Sequence, residues 1–165
     1  MRFASLASVA FVALTGRAAA ETFVIDQTNA TISFTAPFME IFELEGEFED
    51  FSGQAELEDD PATARAEMTI KTGALTSEDG RWEDQLRGPD FFASEQFPEL
   101  TFRSTGFNED DAGGRGILTG ELSLRGITRN VSFAVEYQIL RQKGRDAALY
   151  FRGTTTLNRR DFGIT

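Results

Sequence analysis

The sequence contains no histidine and no cysteine, which limits the chemistry that the chain could carry. Catalysis by a Ser–His–Asp or a Cys–His arrangement needs one of these residues and is therefore excluded. Zinc and copper sites built from imidazole or thiolate ligands are excluded for the same reason. Any reaction would depend on carboxylate, Lys, Arg, Ser, Thr or Tyr side chains, so the acidic and basic clusters are the remaining candidates.

Residues 40–60 hold ten carboxylates and no basic residue. Paired carboxylates could serve glycoside hydrolysis or calcium binding. Four of them instead alternate with apolar residues, as on the solvated face of a strand: Glu43, Glu45, Glu47 and Glu49. Residues 108–111, before Gly113 and Gly114, form a second acidic run that is more typical of a hairpin turn. We therefore predict no metal site and no catalytic site, and we rank a carboxylate-based hydrolase last.

Arg81 and Gln85 stand four residues apart in a segment that we predict to be a short helix, so both could reach one ligand atom. A guanidinium matches the geometry of a phosphate group, and Arg87 follows close by. The alternative is an ordinary surface salt bridge to a neighbouring carboxylate such as Glu83. Pairs of that kind are common, and we favour this second interpretation.

Apolar residues alternate with polar ones along most of the chain, which predicts about eight short strands. Each strand has one apolar and one polar face, a pattern typical of an antiparallel meander that closes into a barrel or folds as a sandwich. One helix interrupts the strands over Gly80–Arg87, where Trp82 and Leu86 lie on one face and Gly88-Pro89 ends the helix.

The N-terminus has the pattern of a secretory signal peptide over residues 1–20. Met1-Arg2 is a short basic start, an uncharged apolar run follows to Thr15, and Ala18–Ala20 offers a small-residue cleavage site before Glu21. The run is too short to span a membrane. We predict export to the periplasm and one mature domain over residues 21–165, which is long enough to form a core.

The chain has 27 acidic and 16 basic residues and a net charge of −11. Removal of the predicted signal peptide takes away Arg2 and Arg17 and no acidic residue, so the net charge of the mature chain becomes −13. Such a surface repels nucleic acid and anionic lipid headgroups. We therefore predict no nucleic-acid binding and at most transient contact with a membrane.

The segment RWEDQLRGPDFFASEQFPELTFRST, Arg81–Thr105, resembles the signature of the YceI-like, polyisoprenoid-binding proteins of the bacterial periplasm. Three further segments agree in the same order: VIDQTNATISF (Val24–Phe34), LTGELSLRGITRNVSF (Leu118–Phe133) and NRRDFGI (Asn158–Ile164). The resemblance implies a mainly β fold, an antiparallel lipocalin-like β-barrel of about eight strands with one short capping helix. It also implies that an isoprenoid chain is held in the apolar interior.

Periodicity alone predicts that the phenylalanines form an ordinary packed core. The resemblance instead implies that, as a set, they line a ligand cavity. It implies a ligand-binding lining formed by Phe34, Phe48, Phe102, Leu118, Leu122, Phe133, Val135 and Phe151. The expected entrance beside the helix consists of Trp82, Leu86, Phe91 and Phe92. The candidate headgroup contacts are Arg81, Gln85 and Arg87.

The leading hypothesis is a non-enzymatic periplasmic carrier for an isoprenoid lipid, either a polyprenyl phosphate or the tail of a quinone, with no other cofactor. The alternative is a filled barrel that docks a protein partner through its acidic face or an open C-terminal edge. Relatives continue into a further strand beyond the Asp-Phe-Gly motif, whereas this sequence ends at Thr165. The resemblance thus implies an open edge or a shortened gene product, and an open edge could pair with a partner, including a second copy in a homodimer.

Overall fold

The computed structural model describes residues 2–3, 8–11, 20–38, 42–143 and 145–164. Most of the predicted signal peptide lies outside these residues, so the signal peptide stays a prediction. The described strands are β1 (Arg2–Phe3), β2 (Ser8–Phe11), β3 (Glu21–Asp26), β4 (Ile32–Phe38), β5 (Phe42–Phe48), β6 (Phe51–Leu57), β7 (Arg65–Lys71), β8 (Leu75–Ser77), β9 (Glu99–Glu109), β10 (Arg115–Leu124), β11 (Ile127–Leu140) and β12 (Ala148–Thr156). The described helices are α1 (Glu83–Arg87) and three 3-10 turns, Pro61–Thr63, Gly80–Trp82 and Arg159–Phe162.

Seven strands form a curled antiparallel half-barrel, in the order β3-β6-β7-β9-β10-β11-β12. At its two edges, the short strand β2 pairs with both β12 and β3. A second antiparallel group, β4-β5-β8, joins the half-barrel through β1, which pairs with β4 and β12. Both β1 and β2 lie within the predicted signal peptide. The predicted fold class, a mainly β, antiparallel and barrel-like sheet with one short helix, is confirmed.

One end of the half-barrel is filled by a packed core, and we call it the closed end. Helix α1 covers it, with Leu86 completely buried. Just after the helix, Phe92 is also completely buried, and its ring lies 5.3 Å from Phe34 and 5.4 Å from Phe48 between centroids. The β10–β11 turn meets the same region, because Arg125 donates a hydrogen bond to the carbonyl of Pro89 at 2.6 Å.

The opposite end, which we call the open end, is bordered by the 3-10 turn Pro61–Thr63 and by the β9–β10 turn. Strand β11 shows how the sheet is packed between the two ends. Its inward-facing residues are only half-buried, whereas its alternate residues are exposed. Interior side chains in a filled barrel are close-packed and lose nearly all their exposure. The half-buried inner face therefore indicates a hollow interior.

Candidate functional site

A cavity of about 210 Å³ lies inside the half-barrel. Its lining is almost entirely apolar and comes from both sheets, with contributions from β3, β4, β6, β7, β9, β10, β11 and β12. The exposed side chains of Glu58 and Arg65 border it, together with Pro61 and Ala64, and all four lie near the turn at the open end. The cavity therefore opens to solvent at the open end.

On β9 and β10, burial falls from the closed end towards the open end, whereas on β12 Ala148 and Leu149 are buried near the open end. On β10, Leu124 and Leu122 are buried, whereas Leu118 is only half-buried. On β9, Leu100 is buried and Phe107, nearer the open end, is half-buried. On these two strands the same inward-facing pattern thus forms packed core at one end and cavity wall at the other.

Six of the eight predicted lining residues line this cavity: Phe102, Leu118, Leu122, Phe133, Val135 and Phe151. Phe102 and Phe133 meet edge to face, with ring centroids 5.0 Å apart. Phe34 and Phe48 are placed elsewhere, because their rings lie 5.1 Å apart in the core cluster with Phe92. Their contacts within that cluster leave them almost fully buried, so the structure gives them a packing role.

The residues predicted to form the entrance lie at the closed end. Leu86, Phe91 and Phe92 are buried in the core, and Trp82 is half-buried against it. Among the described residues that line the cavity, none belongs to α1 or to the loop that follows it. The helix thus closes one end of the half-barrel, and the opening lies at the other end.

The three candidate headgroup residues also lie at the closed end. Arg81 forms a salt bridge with Asp79, and its Nε donates hydrogen bonds of 2.9 and 3.0 Å to the two carboxylate oxygens. This hydrogen-bonded pairing lowers the pKa of Asp79 and raises the pKa of Arg81. Arg87 donates to the carbonyls of Gly73 and Leu75 at 2.9 and 2.8 Å, so it ties α1 to β8.

Gln85, on the same helix, is exposed. The structure does not bring Arg81, Gln85 and Arg87 together around the cavity, and ligand contact by them stays a prediction. Arg87 also bonds to Glu83 at 3.1 Å, which matches the salt-bridge interpretation that the sequence favoured for this group.

A polar contact holds the open end in place. The hydroxyl of Tyr137, whose ring lines the cavity, donates a hydrogen bond to the carboxylate of Glu109. The backbone N–H of Gly114 donates to the same carboxylate at 3.1 Å, and Tyr137 packs edge to face on Phe107 at 5.8 Å. Burial, followed by the bond to Glu109, raises the pKa of Tyr137 to about 12, so this phenol stays neutral.

Several lining residues were not predicted, and they differ in how much signal the sequence carries. Tyr137 and Ile139 continue the apolar stripe of Phe133 and Val135 on β11, so that stripe already indicated them. Gly153 is a lone glycine inside β12, a feature that often marks a place where something approaches the backbone closely. Pro61 belongs to a turn, and no pattern in the sequence points to its position at the cavity mouth.

The acidic segments occupy solvent-exposed positions. Glu43, Glu45 and Glu47 lie on the exposed face of β5, where they alternate with buried residues. In the acidic turn, Asp110 accepts a hydrogen bond from the N–H of Ala112 at 3.2 Å. No group of three acidic side chains suited to a metal ion occurs in the part of the chain that the structure describes. A helix long and apolar enough to cross a membrane is likewise absent from that part.

Solved structures with the same architecture include the YCEI protein of Campylobacter jejuni and BcnA of Burkholderia cenocepacia. The first has a TM-score of 0.68 at 23% sequence identity and covers 79% of this chain and 77% of its own. The second has a TM-score of 0.56 at 20% identity and covers 83% of this chain and 96% of its own. At these identities the likeness concerns the fold.

Sequence comparison identifies relatives at a closer level. A UPF0312 protein of Shewanella baltica is 30% identical over 154 residues, which cover 89% of this chain and 78% of the relative. A UPF0312 protein of another Shewanella strain, W3-18-1, is 31% identical over the same length. The family model described as the YceI-like domain matches residues 23–165. The chain therefore belongs to the YceI-like domain family.

Proposed function

We propose that this protein is a non-catalytic periplasmic carrier that binds the isoprenoid chain of a lipid inside the half-barrel. The observation that carries the proposal is the apolar cavity, which is open at one end and lined by buried and half-buried aromatic and aliphatic side chains. The YceI-like family is a binding-protein fold rather than a recognised enzyme family, which supports binding. The predicted signal peptide supports the periplasmic location.

The size of the cavity sets the scale of the binding energy. Its volume of about 210 Å³ is about seven times the ~30 Å³ that one water occupies in the liquid. If each hydrocarbon carbon takes roughly that space, about seven carbons are sheltered, worth about 6 kcal/mol at ~0.8 kcal/mol for each before association costs. A longer isoprenoid chain would extend through the open end.

This energy favours exchange of the lipid over permanent capture. Lipid tails in a bilayer are as apolar as the cavity wall, so the transfer of a chain from membrane to cavity has a free energy near zero. The strong negative charge of the protein also disfavours long residence on an anionic membrane. Both properties suit a protein that carries or buffers a lipid between sites.

The first experiment asks whether a lipid accompanies the protein. The mature protein is purified without detergent. Native mass spectrometry then shows whether a ligand is bound, and mass spectrometry of an organic extract identifies that ligand. We expect a bound species whose fragments show the repeating isoprenoid unit. A protein that is free of lipid and also fails to take up a fluorescent prenyl probe would contradict the proposal.

A matched pair of variants tests whether the cavity is the binding site. Phe133→Asp places a charge on the inner face of β11, whereas Ser132→Asp places the same charge at the adjacent position, on the exposed outer face of the strand. Because a carboxylate in an apolar cavity is costly, probe uptake should be lost in the first variant and retained in the second. Equal uptake by two folded variants would place binding outside the cavity.

A further inference from the structure

The mouth of the cavity is bordered by acidic side chains. Strand β6 ends at Leu57, and three carboxylates follow directly in the turn that leads to the cavity mouth: Glu58, Asp59 and Asp60. Glu58 is itself part of the cavity border. All three residues are exposed, so they remain in water when the cavity is empty.

Of the basic side chains near this mouth, Arg141 is paired with a carboxylate and Arg65 lies opposite one in the sheet register. Arg141, just after β11, forms a salt bridge with Glu21, with N–O distances of 2.6 and 3.3 Å. Glu21 pairs with Leu57, the residue before the acidic turn, in the β3–β6 register. The bond to Glu21 and the charge of Asp59 raise the pKa of Arg141. Arg65, on the cavity border, stands opposite Glu56 in the β6–β7 register. The β11–β12 turn at this end adds two exposed cations, Lys143 and Arg145, and one carboxylate, Asp146. Around the opening, six carboxylates (Glu21, Glu56, Glu58, Asp59, Asp60 and Asp146) still outnumber four cations (Arg65, Arg141, Lys143 and Arg145), so the excess charge is negative.

We propose that this acidic rim selects isoprenoid lipids with an uncharged headgroup over lipids with a phosphate headgroup. The inference rests on the proposed function, because the cavity binds the chain and the rim acts only on the group that the chain leaves at the mouth. A cavity that shelters about seven carbons leaves the headgroup of a longer lipid at or beyond the rim. A phosphate there carries roughly −1.5 to −2 charges and is repelled by the rim carboxylates.

The magnitude of the selection depends on ionic strength, since the rim is exposed to solvent. Each carboxylate repels the phosphate only weakly in water, and several together amount to a preference on the order of tenfold at low salt. Screening reduces this preference, because the Debye length falls from about 30 Å at 0.01 M to about 3 Å at 1 M. An uncharged hydroxyl or quinone headgroup has no such repulsion, so its binding changes little.

The test compares farnesol with farnesyl phosphate, which share one isoprenoid chain and differ in the headgroup. Their dissociation constants are measured by competition with a fluorescent prenyl probe, at low and at high salt. We expect the dissociation constant of farnesyl phosphate, divided by that of farnesol, to be roughly tenfold larger at low salt than at high salt.

A double variant, Glu58→Gln with Asp59→Asn, should reduce the preference by several-fold at low salt. The matched control, Asp90→Asn with Glu95→Gln, removes the same charge from exposed residues near the closed end and should leave the preference unchanged. A ratio that depends on neither salt nor the rim variant, or a tighter binding of farnesyl phosphate at low salt, would overturn the inference while the carrier function stands. Failure of both compounds to bind would instead overturn the proposed function.

Discussion

The substitution Gly153→Leu should block the cavity without weakening the fold. Gly153 lines the cavity in the middle of β12, opposite Val135 in the β11–β12 register. A Cβ added there would lie 3.9 Å from the nearest atoms of Phe133 and Val135, an ordinary van der Waals distance. The new side chain therefore has room, and that room is the space that the ligand would use.

The expected loss of affinity follows from the volume. A leucine side chain adds four carbons to a cavity that shelters about seven, so the ligand loses contact for about four carbons. At ~0.8 kcal/mol for each carbon the loss is about 3 kcal/mol, which weakens binding roughly 200-fold. The melting temperature should not fall, because the added side chain covers apolar surface that is half-exposed in the native protein.

Titration of a fluorescent prenyl probe, together with a thermal melt, measures both effects. Ala134→Leu is the matched control, since Ala134 pairs with Thr154 at the same height but faces outward and is exposed. This control should bind the probe with native affinity. Unchanged affinity in a folded Gly153→Leu variant would refute the assignment of the cavity as the binding site.

Three further predictions concern stability, ionisation and processing. Phe92→Ala, in the packed closed end, should lower the free energy of unfolding by about 3–5 kcal/mol in urea denaturation. Phe133→Ala, which removes a half-buried side chain from the cavity wall, should lower it clearly less. Equal losses of free energy would contradict the contrast between the two ends. Because the folded-state pKa of Tyr137 is about 12 and the ordinary value is 10.0, the stability that burial and the bond to Glu109 give to the neutral phenol should be complete below pH 10 and decline towards pH 12. Tyr137→Phe should flatten that decline in alkaline unfolding curves, and an identical decline in both proteins would argue against it. Mass spectrometry of the exported protein should find Glu21 at the N-terminus; a retained leader would remove the support for a periplasmic location.

The strands and the helix could be predicted because their signals are local. The alternation of apolar residues on β11 depends only on the geometry of a strand, and the structure keeps it from Val131 to Ile139. The helix followed from Trp82, Leu86 and the Gly88-Pro89 stop, and it forms as a 3-10 turn that continues into α1.

The position of a residue along the half-barrel axis could not be predicted in this way. Phe34 and Phe133 both belong to stripes of inward-facing apolar residues, yet the first is packed in the core and the second faces the cavity. Periodicity distinguishes the inner face of a strand from the outer face, but it carries no information on the position of a residue along the half-barrel axis. Packing between residues far apart in the sequence determines which inward-facing residues become core, here through the contact of Phe92 with Phe34.

The packed end and the hollow end of the half-barrel give two regions of the inner surface different roles. The rings and aliphatic groups beneath α1 pack against one another and stabilise the fold. Positions farther along the same strands have empty space in front of them and contribute less to cohesion. Natural variation or engineering could therefore reshape that vacant half to admit wider or narrower hydrophobic compounds while the scaffold continues to fold.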